Sequence, residues 1–118
     1  MLTFEQYRKV FSCETKGKFC IEIHFLVKGM PQFQSCWMGL EPDRDHPGTD
    51  CFWFGLKEDG TAAYNFASFA EFASASVFDG RSLEDICPMI ELIEVDGCDP
   101  EQRIACYLNG TPAVWAKE

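Results

Sequence analysis

The clearest pattern along the chain is an alternation of apolar and polar side chains over residues 19–27. Odd positions are all apolar, and even positions are mostly polar. A period of two predicts a β-strand whose odd-numbered side chains face the core. Runs of β-branched and aromatic residues predict four further strands. These lie at about residues 34–41, 50–57, 61–66 and 90–95.

Four short helices are predicted from capping residues that precede apolar positions at helical spacing. Thr3 with Gln6 forms a capping-box pattern, in which each side chain satisfies a backbone N–H of the first turn. Ser68 with Glu71 repeats the pattern. The helices are expected over about residues 4–14, from the Ser68 cap to the Asp79-Gly80 turn, from the Ser82 cap to Pro88, and from Asp99-Pro100 to Asn109-Gly110.

No internal repeat, low-complexity tract or linker separates these elements. Residues 1–118 are therefore expected to form a single globular domain. Strands that follow one another closely in sequence usually pair with each other. We predict an α+β fold, with an antiparallel sheet of about five strands, an N-terminal helix and short C-terminal-half helices packed on it.

A hairpin is predicted between the third and fourth strands, at Lys57-Glu58-Asp59-Gly60. If the hairpin loop has two or four residues, one face of the sheet carries the side chains of two sets of residues: Cys51, Trp53 and Gly55 from the third strand, and Ala62, Tyr64 and Phe66 from the fourth. The other face would hold Phe52, Phe54 and Leu56. Both faces would then be apolar, so helices are expected to cover one, and a further helix, a dimer partner or a ligand the other.

The predicted binding residues are the aromatic side chains Trp37, Trp53, Tyr64 and Phe66. Trp and Tyr are enriched among the anchors of protein interfaces, which favours a binding surface. Large aromatic residues are also ordinary core components. Both interpretations follow from the same pattern.

The chain carries a formal net charge of −9, and its acidic residues are unevenly placed. Residues 1–28 hold five Lys and Arg against three acids, whereas residues 29–118 hold five against sixteen. An anionic body repels phosphate backbones and anionic lipids, so we expect neither nucleic acid nor a membrane as partner. A basic protein or a cation is accommodated more easily. Acidic surface also keeps an apolar-rich domain soluble without any partner.

Seven cysteines occur in 118 residues, and no C-x-x-C spacing is among them. An odd number without a secretory leader is typical of a reducing compartment. The chain starts without a basic and apolar leader, and it has no run of ~20 apolar residues. We expect a cytoplasmic protein whose thiols are free and mostly fill gaps in the core.

Three even-numbered residues at the first strand, Cys20, Glu22 and His24, are the candidate catalytic residues because they point the same way. A thiol, a carboxylate and an imidazole could act as nucleophile, base and orienting group. Successive residues on one face of a strand are ~6.6 Å apart, however, which is too far for direct contact. An exposed polar face explains the same residues.

The loop at residues 41–50 is the densest cluster of potential metal ligands. Its candidates are Asp43, Asp45, His46 and Asp50. It does not fit a calcium-binding EF-hand, because Pro47 and Phe54 occupy positions that need ligands. A solvated loop, with Pro and Gly at its turns, explains the same composition.

The leading functional hypothesis is a non-enzymatic interaction module that acts through the aromatic face and the acidic loop, as a homodimer or on a protein partner. One alternative is a small enzyme or ligand-binding protein with a pocket between sheet and helices, lined by Cys20 and His24 or by His46 and Cys51. Another is a bacterial inhibitor or immunity-type protein, since a small acidic domain is suited to block a basic toxin. No cofactor is predicted for any of them.

Overall fold

A five-stranded sheet forms the centre of the computed structural model, which describes residues 2–12 and 20–109. Its strands are β1 (Ile21–Val27), β2 (Cys36–Pro42), β3 (Asp50–Gly55), β4 (Ala63–Phe66) and β5 (Ile90–Val95). The helices are α1 (Phe4–Phe11), α2 (Phe69–Ser74), α3 (Leu83–Ile86) and α4 (Pro100–Leu108), with a 3₁₀ turn at Cys87–Met89. The strand order is β4-β3-β2-β1-β5, and neighbouring strands are antiparallel. The predicted α+β fold is confirmed.

The four helices pack on one face of the sheet, which we call the core face. From β1 it receives Ile21, Ile23, Phe25 and Val27, each without exposed surface. Phe72 fixes α2 on this face, because its ring stacks on Phe54 of β3 with 4.1 Å between centroids. The alternation predicted for the first strand therefore produces the core, while Phe19 lies outside the described residues.

α1 begins where the capping box predicts. The backbone N–H of Thr3 donates to Gln6 Oε1 at 2.9 Å, and the backbone N–H of Gln6 donates to Thr3 Oγ1 at 3.2 Å. α4 likewise begins after the Asp99 cap. The predicted end of the first helix is wrong, since it stops at Phe11 and Ser12 serves as its C-terminal cap.

α2 is shorter than its apolar spacing predicts. It ends at Ser74 and not near Asp79-Gly80. The Ser74 hydroxyl donates to the Ala70 carbonyl at 2.7 Å, a local side-chain bond that weakens helical preference. Ala75 then takes an extended conformation. Phe78 consequently reaches the core from outside the helix.

The helices are short, and α4 spans nine residues. Among the described residues, no helix has the length and apolar character that crossing a bilayer requires. Their apolar side chains face the sheet, as Ile104 and Tyr107 of α4 do.

The pairing of β3 with β4 differs by one residue from the predicted register. Phe52 lies opposite Phe66, and Trp53 lies opposite Asn65. Cross-strand partners point to the same face, so Phe66 and Tyr64 belong with the core-facing residues of β3. The prediction that Trp53 shares a face with Tyr64 and Phe66 is therefore wrong.

The length of the hairpin loop causes this difference. The backbone N–H of Leu56 donates to the Ala62 carbonyl at 3.0 Å, which leaves the odd number of residues 57–61 in the loop. Gly60 has a φ of +79°, a conformation that glycine adopts without strain. A loop of two or four residues would have moved every side chain of β4 to the opposite face.

A largely buried carboxylate joins β1, β5 and α4 at one end of the sheet. The Asp96 side chain accepts hydrogen bonds from the Glu22 backbone N–H at 2.8 Å, from Arg103 Nε at 2.9 Å and from the Tyr107 hydroxyl at 2.5 Å. The backbone N–H of Asp96 donates to the Glu22 carbonyl at 2.7 Å. These bonds fix the turn between β5 and α4 against the start of β1.

Five described cysteines have free thiols, as predicted: Cys20, Cys36, Cys51, Cys87 and Cys98. Cys36 and Cys87 are buried and belong to the core cluster. Cys20 and Cys98 are exposed. The predicted helical position of Cys13 lies outside the described residues.

Candidate functional site

The sheet face opposite the helices, which we call the open face, carries side chains from all five strands. Its residues are Glu22, His24 and Leu26 of β1, Trp37, Gly39 and Glu41 of β2, Cys51, Trp53 and Gly55 of β3, Ala63 and Asn65 of β4, and Glu91 and Glu94 of β5. Cys20 and Ser35 continue it just before β1 and β2. Among the described residues, no helix packs on this face.

Trp53 lies over the middle of the open face because residue 39 has no side chain. A Cβ atom on Gly39 would lie 2.6 Å from Cζ2 of Trp53 and 2.2 Å from the carbonyl oxygen of Ile21. Glycine therefore allows the indole to lie directly against the backbone of β2. The ring covers that backbone and stays partly exposed itself.

His24 forms a second cluster on the open face, with neighbours from β2 and β5. Its ring stacks on Trp37, with 4.4 Å between centroids and 3° between planes. Nε2 lies 2.9 Å from Ser35 Oγ, and Nδ1 lies 4.0 Å from Glu94 Oε1. The His24 side chain is 21% exposed, so solvent reaches the ring.

Cys20, Glu22 and His24 lie on the same side of the sheet, as their spacing predicts. His24, however, contacts Ser35 and Trp37. Partial burial and the carboxylates of Glu41 and Glu22 raise the pKa of the Cys20 thiol above its usual value. A nucleophilic cysteine needs surroundings that lower the pKa, so Cys20 is poorly placed for catalysis.

The second predicted pair, His46 and Cys51, is also separated. His46 lies in an exposed loop with its Nδ1 3.2 Å from Asp43 Oδ2, whereas Cys51 lies on β3. Partial burial, followed by nearby carboxylates, raises the pKa of Cys51. Because Cys20, His24 and Cys51 face away from the helices, they cannot line the predicted pocket between sheet and helices.

A groove between sheet and helix is present elsewhere, at the edge formed by β5 and α4. It has a volume of about 590 Å³ and is open to solvent. Leu92 and Ile104 contribute apolar surface to it, and Lys28, Glu91 and Glu101 contribute charge. None of the predicted catalytic, binding or metal-ligating residues lines this groove.

The acidic loop is organised by hydrogen bonds within itself. Asp43 Oδ1 accepts from the backbone N–H of Asp45 at 2.9 Å, and this bond, with those from His46, lowers the pKa of Asp43. Within the described part of the chain, no three His, Cys, Asp or Glu side chains are grouped as a metal site requires. The structure therefore does not assemble Asp43, Asp45, His46 and Asp50 into a metal site.

The predicted binding residues are divided between the two faces of the sheet. Trp37 and Trp53 lie on the open face and are partly exposed. Phe66 turns to the core face, where its ring centroid lies 6.2 Å from that of Phe54. Tyr64 points to the same side and is 38% exposed on the edge strand. On the open face, the aromatic surface therefore consists of the two tryptophans with His24.

Carboxylates surround these aromatic side chains. Glu22, Glu41 and Glu91 are exposed, and Glu94 is partly buried beside His24. None of the open-face residues named above is Lys or Arg. An apolar centre inside a frame of carboxylates gives a negative potential that attracts cations.

Two residues of the His24 cluster, Ser35 and Glu94, are not identified by any sequence pattern. Glu94 lies opposite His24 because the register of β1 and β5 shifts between His24 and Phe25. Without the shift, His24 would lie opposite Ile93. Bulges of this kind have no strong sequence signal, so this neighbour could be found only from the structure.

Comparisons with known proteins provide no relative from which function could be transferred. A scan against protein-family models and searches of curated proteins and of solved structures find no match to this chain. Function is therefore inferred from the open face and its charge.

Proposed function

We propose that this protein is an interaction module that binds a basic protein partner on its open face. The observation that carries the proposal is the position of Trp37 and Trp53, both partly exposed, on a face whose strand positions hold four glutamates and neither Lys nor Arg. A Lys or Arg side chain can lie on an indole ring while its charge stays near a carboxylate. The net charge of −9 attracts the same partner over longer distances.

Both tryptophans are held in place before any partner arrives. Trp37 is stacked on His24, and Trp53 lies in the space that Gly39 leaves free. Side chains that are already ordered lose little conformational entropy on binding. Two preorganised indoles are therefore well suited as anchors, a role in which Trp is enriched.

A basic partner is favoured over a second copy of the same chain. A symmetric dimer brings the same surface of both copies together. On the open face this would place Glu22, Glu41, Glu91 and Glu94 of one copy against the same carboxylates of the other. Like charges facing each other destabilise an interface. The inhibitor hypothesis is a special case of this proposal, with a basic toxin as the partner.

Calorimetric titration with a defined peptide tests the proposal. The probe is a short peptide of alternating lysine and leucine, and a matched peptide with glutamate in place of lysine is the control. We expect saturable binding of the lysine peptide that weakens as salt is added, because exposed charges are screened. Equal binding of the two peptides, or none of the lysine peptide, would contradict the proposal.

Two variants test whether the lysine peptide binds at the open face. Glu22→Gln is expected to weaken binding roughly 2- to 5-fold, since it removes one exposed carboxylate from the frame. Glu84→Gln is the matched control, because Glu84 is exposed on α3, on the helical side. The same loss in both variants would show that net charge alone drives the binding.

A further inference from the structure

Ser35, just before β2, lies next to His24 of β1, and Glu94 of β5 lies on the other side of His24. Ser35 Oγ is 2.9 Å from His24 Nε2, and Glu94 Oε1 is 4.0 Å from His24 Nδ1. The hydroxyl and the carboxylate therefore approach different nitrogens of one ring. Nucleophile, general base and orienting carboxylate have this relation in enzymes that use serine.

We propose that Ser35 is a nucleophile with His24 as its general base, and that the open face carries acyl-transfer activity toward esters. The proposal goes beyond the binding function and does not depend on a protein partner. It assigns the role of nucleophile to Ser35, a residue that hydrogen-bonds the base directly. Cys20, the candidate predicted from sequence, lies in surroundings that disfavour its thiolate.

The neighbours of His24 hold its ring in the orientation that a base needs. Stacking on Trp37, with 3° between the planes, restricts rotation of the imidazole. A carboxylate beside Nδ1 favours the tautomer with the proton on Nδ1, which leaves the lone pair of Nε2 facing Ser35. The separation from Glu94 exceeds hydrogen-bond length, but catalytic hydrogen bonds often shorten when substrate binds.

The reaction balances with water as the co-reactant. Ser35 Oγ attacks the ester carbonyl carbon, and His24 Nε2 takes the hydroxyl proton and gives it to the leaving alkoxide. An acyl-serine forms and an alcohol departs. His24 Nε2 then removes a proton from water, and the resulting hydroxide attacks the acyl carbon. The Oγ–acyl bond breaks, His24 returns the proton to Ser35 Oγ, and a carboxylic acid leaves.

The residues around Ser35 indicate the class of ester. Leu26 and Trp37 are partly exposed apolar neighbours on the same face. Glu91 and Glu94 add negative charge beside them. We therefore expect neutral or cationic esters with an apolar acyl group, and discrimination against substrates that carry a carboxylate.

A fluorophosphonate probe tests the proposal without requiring the natural substrate. The Oγ–P bond forms as the P–F bond breaks, and the serine proton departs through His24 with fluoride. In the folded full chain we expect Ser35 to be labelled, with the position established by mass spectrometry. His24→Gln is expected to slow labelling by about 100-fold, the lower end of what a general base contributes. Ser74→Ala, on α2, is the matched control and should be labelled at the full rate.

Added imidazole distinguishes a base from a merely structural histidine. Labelling of His24→Ala is expected to recover in part when free imidazole is supplied, which a structural role would not produce. Glu94→Gln should cause a smaller decrease than His24→Gln. Two results would overturn the proposal: Ser35 labelled no faster in the folded chain than in urea, or an unchanged labelling rate in a folded His24 variant.

Discussion

At the scale of single residues, partial burial and the nearby carboxylate of Glu41 disfavour the thiolate forms of the two open-face cysteines. Cys20 and Cys51 both lie near this carboxylate, and partial burial together with its charge raises the pKa of each thiol. We expect both to react with iodoacetamide at pH 7.5 more slowly than in urea-unfolded protein, because less thiolate is present. A mass-spectrometric time course measures this. Glu41→Gln should accelerate both reactions; faster reaction in the folded wild-type chain would contradict the account.

Two buried tyrosines differ in how their hydroxyl groups are satisfied. Tyr107 donates to Asp96 at 2.5 Å, whereas the buried Tyr7 hydroxyl has no hydrogen-bond partner among the described residues. Tyr107→Phe is expected to lower the free energy of unfolding by roughly 1.5–3 kcal/mol, the usual value of a hydrogen bond to a charged group. Tyr7→Phe should leave the free energy of unfolding unchanged or raise it slightly. Urea denaturation compares them, and equal losses would be inconsistent with these contacts.

Only the part of the site that depends on the alternation within a single strand could be predicted from sequence. Alternation places His24 on a polar face, and the placement is correct. Ser35 and Glu94 become its neighbours through the register of β2 and through the bulge with β5, which depend on two strands at a time. Pairing geometry of that kind has no local sequence signal.

At the scale of elements, Gly39 determines how closely β1, β2 and the Trp53 ring approach one another. Gly39→Ala is expected to lower the free energy of unfolding by roughly 3 kcal/mol, because the Cβ atom would lie 2.2 Å from a backbone oxygen of Ile21. Urea denaturation followed by circular dichroism measures the loss.

Gly55→Ala is the matched control for that variant. Its Cβ atom would lie 3.9 Å from the nearest side chains, those of Trp37 and Trp53, which is ordinary contact. The free energy of unfolding should change by no more than ~1 kcal/mol, which is the range that strand propensities span. A Gly39→Ala variant as stable as Gly55→Ala would show that Trp53 does not occupy the assigned position.

Element starts were easier to predict than element ends and registers. The Thr3 and Asp99 caps are local devices, and the helices begin beside them. The end of α2 depends on competition between the Ser74 side chain and the backbone. The face of β4 depends on whether the hairpin loop has an odd or even number of residues. Asp59-Gly60 identified the turn but not that number.

At the scale of the whole molecule, the buried thiol and phenol groups make the fold sensitive to alkali. Burial raises the pKa of Cys36 from 9.0 to about 11 and raises the pKa of Tyr7 and Tyr107 above their usual values. Above pH 9 the unfolded chain releases protons that the folded chain retains, so the free energy of unfolding falls as pH rises. Each such group lowers the free energy of unfolding by at most ~1.4 kcal/mol per pH unit.

Urea titrations at pH 7.5, 9 and 10 measure this dependence. Cys36→Ala should reduce the slope between about pH 9 and 11, because it removes a thiol whose pKa burial raises to about 11. A free energy of unfolding that is constant or rises over this range would contradict the burial of these groups.

The size of the open face sets the expected strength of binding. Five strands spaced ~4.8 Å apart, with ~20 Å of length, present on the order of 500 Å² to a partner. Stable interfaces usually bury ~800 Å² on each side. The proposed contact therefore belongs to the small, transient class, in which electrostatic attraction mainly accelerates association.

The basic partner is expected to bind on the open face and not on the side of the sheet where the helices pack. Chemical-shift mapping of the lysine–leucine peptide on the isotope-labelled full chain locates the binding surface. The largest changes are predicted at the Trp37 and Trp53 indole N–H signals and at neighbouring amides of β1, β2 and β3. Largest changes in the groove between β5 and α4, or no saturable change at either tryptophan, would show that the open face is not the binding surface.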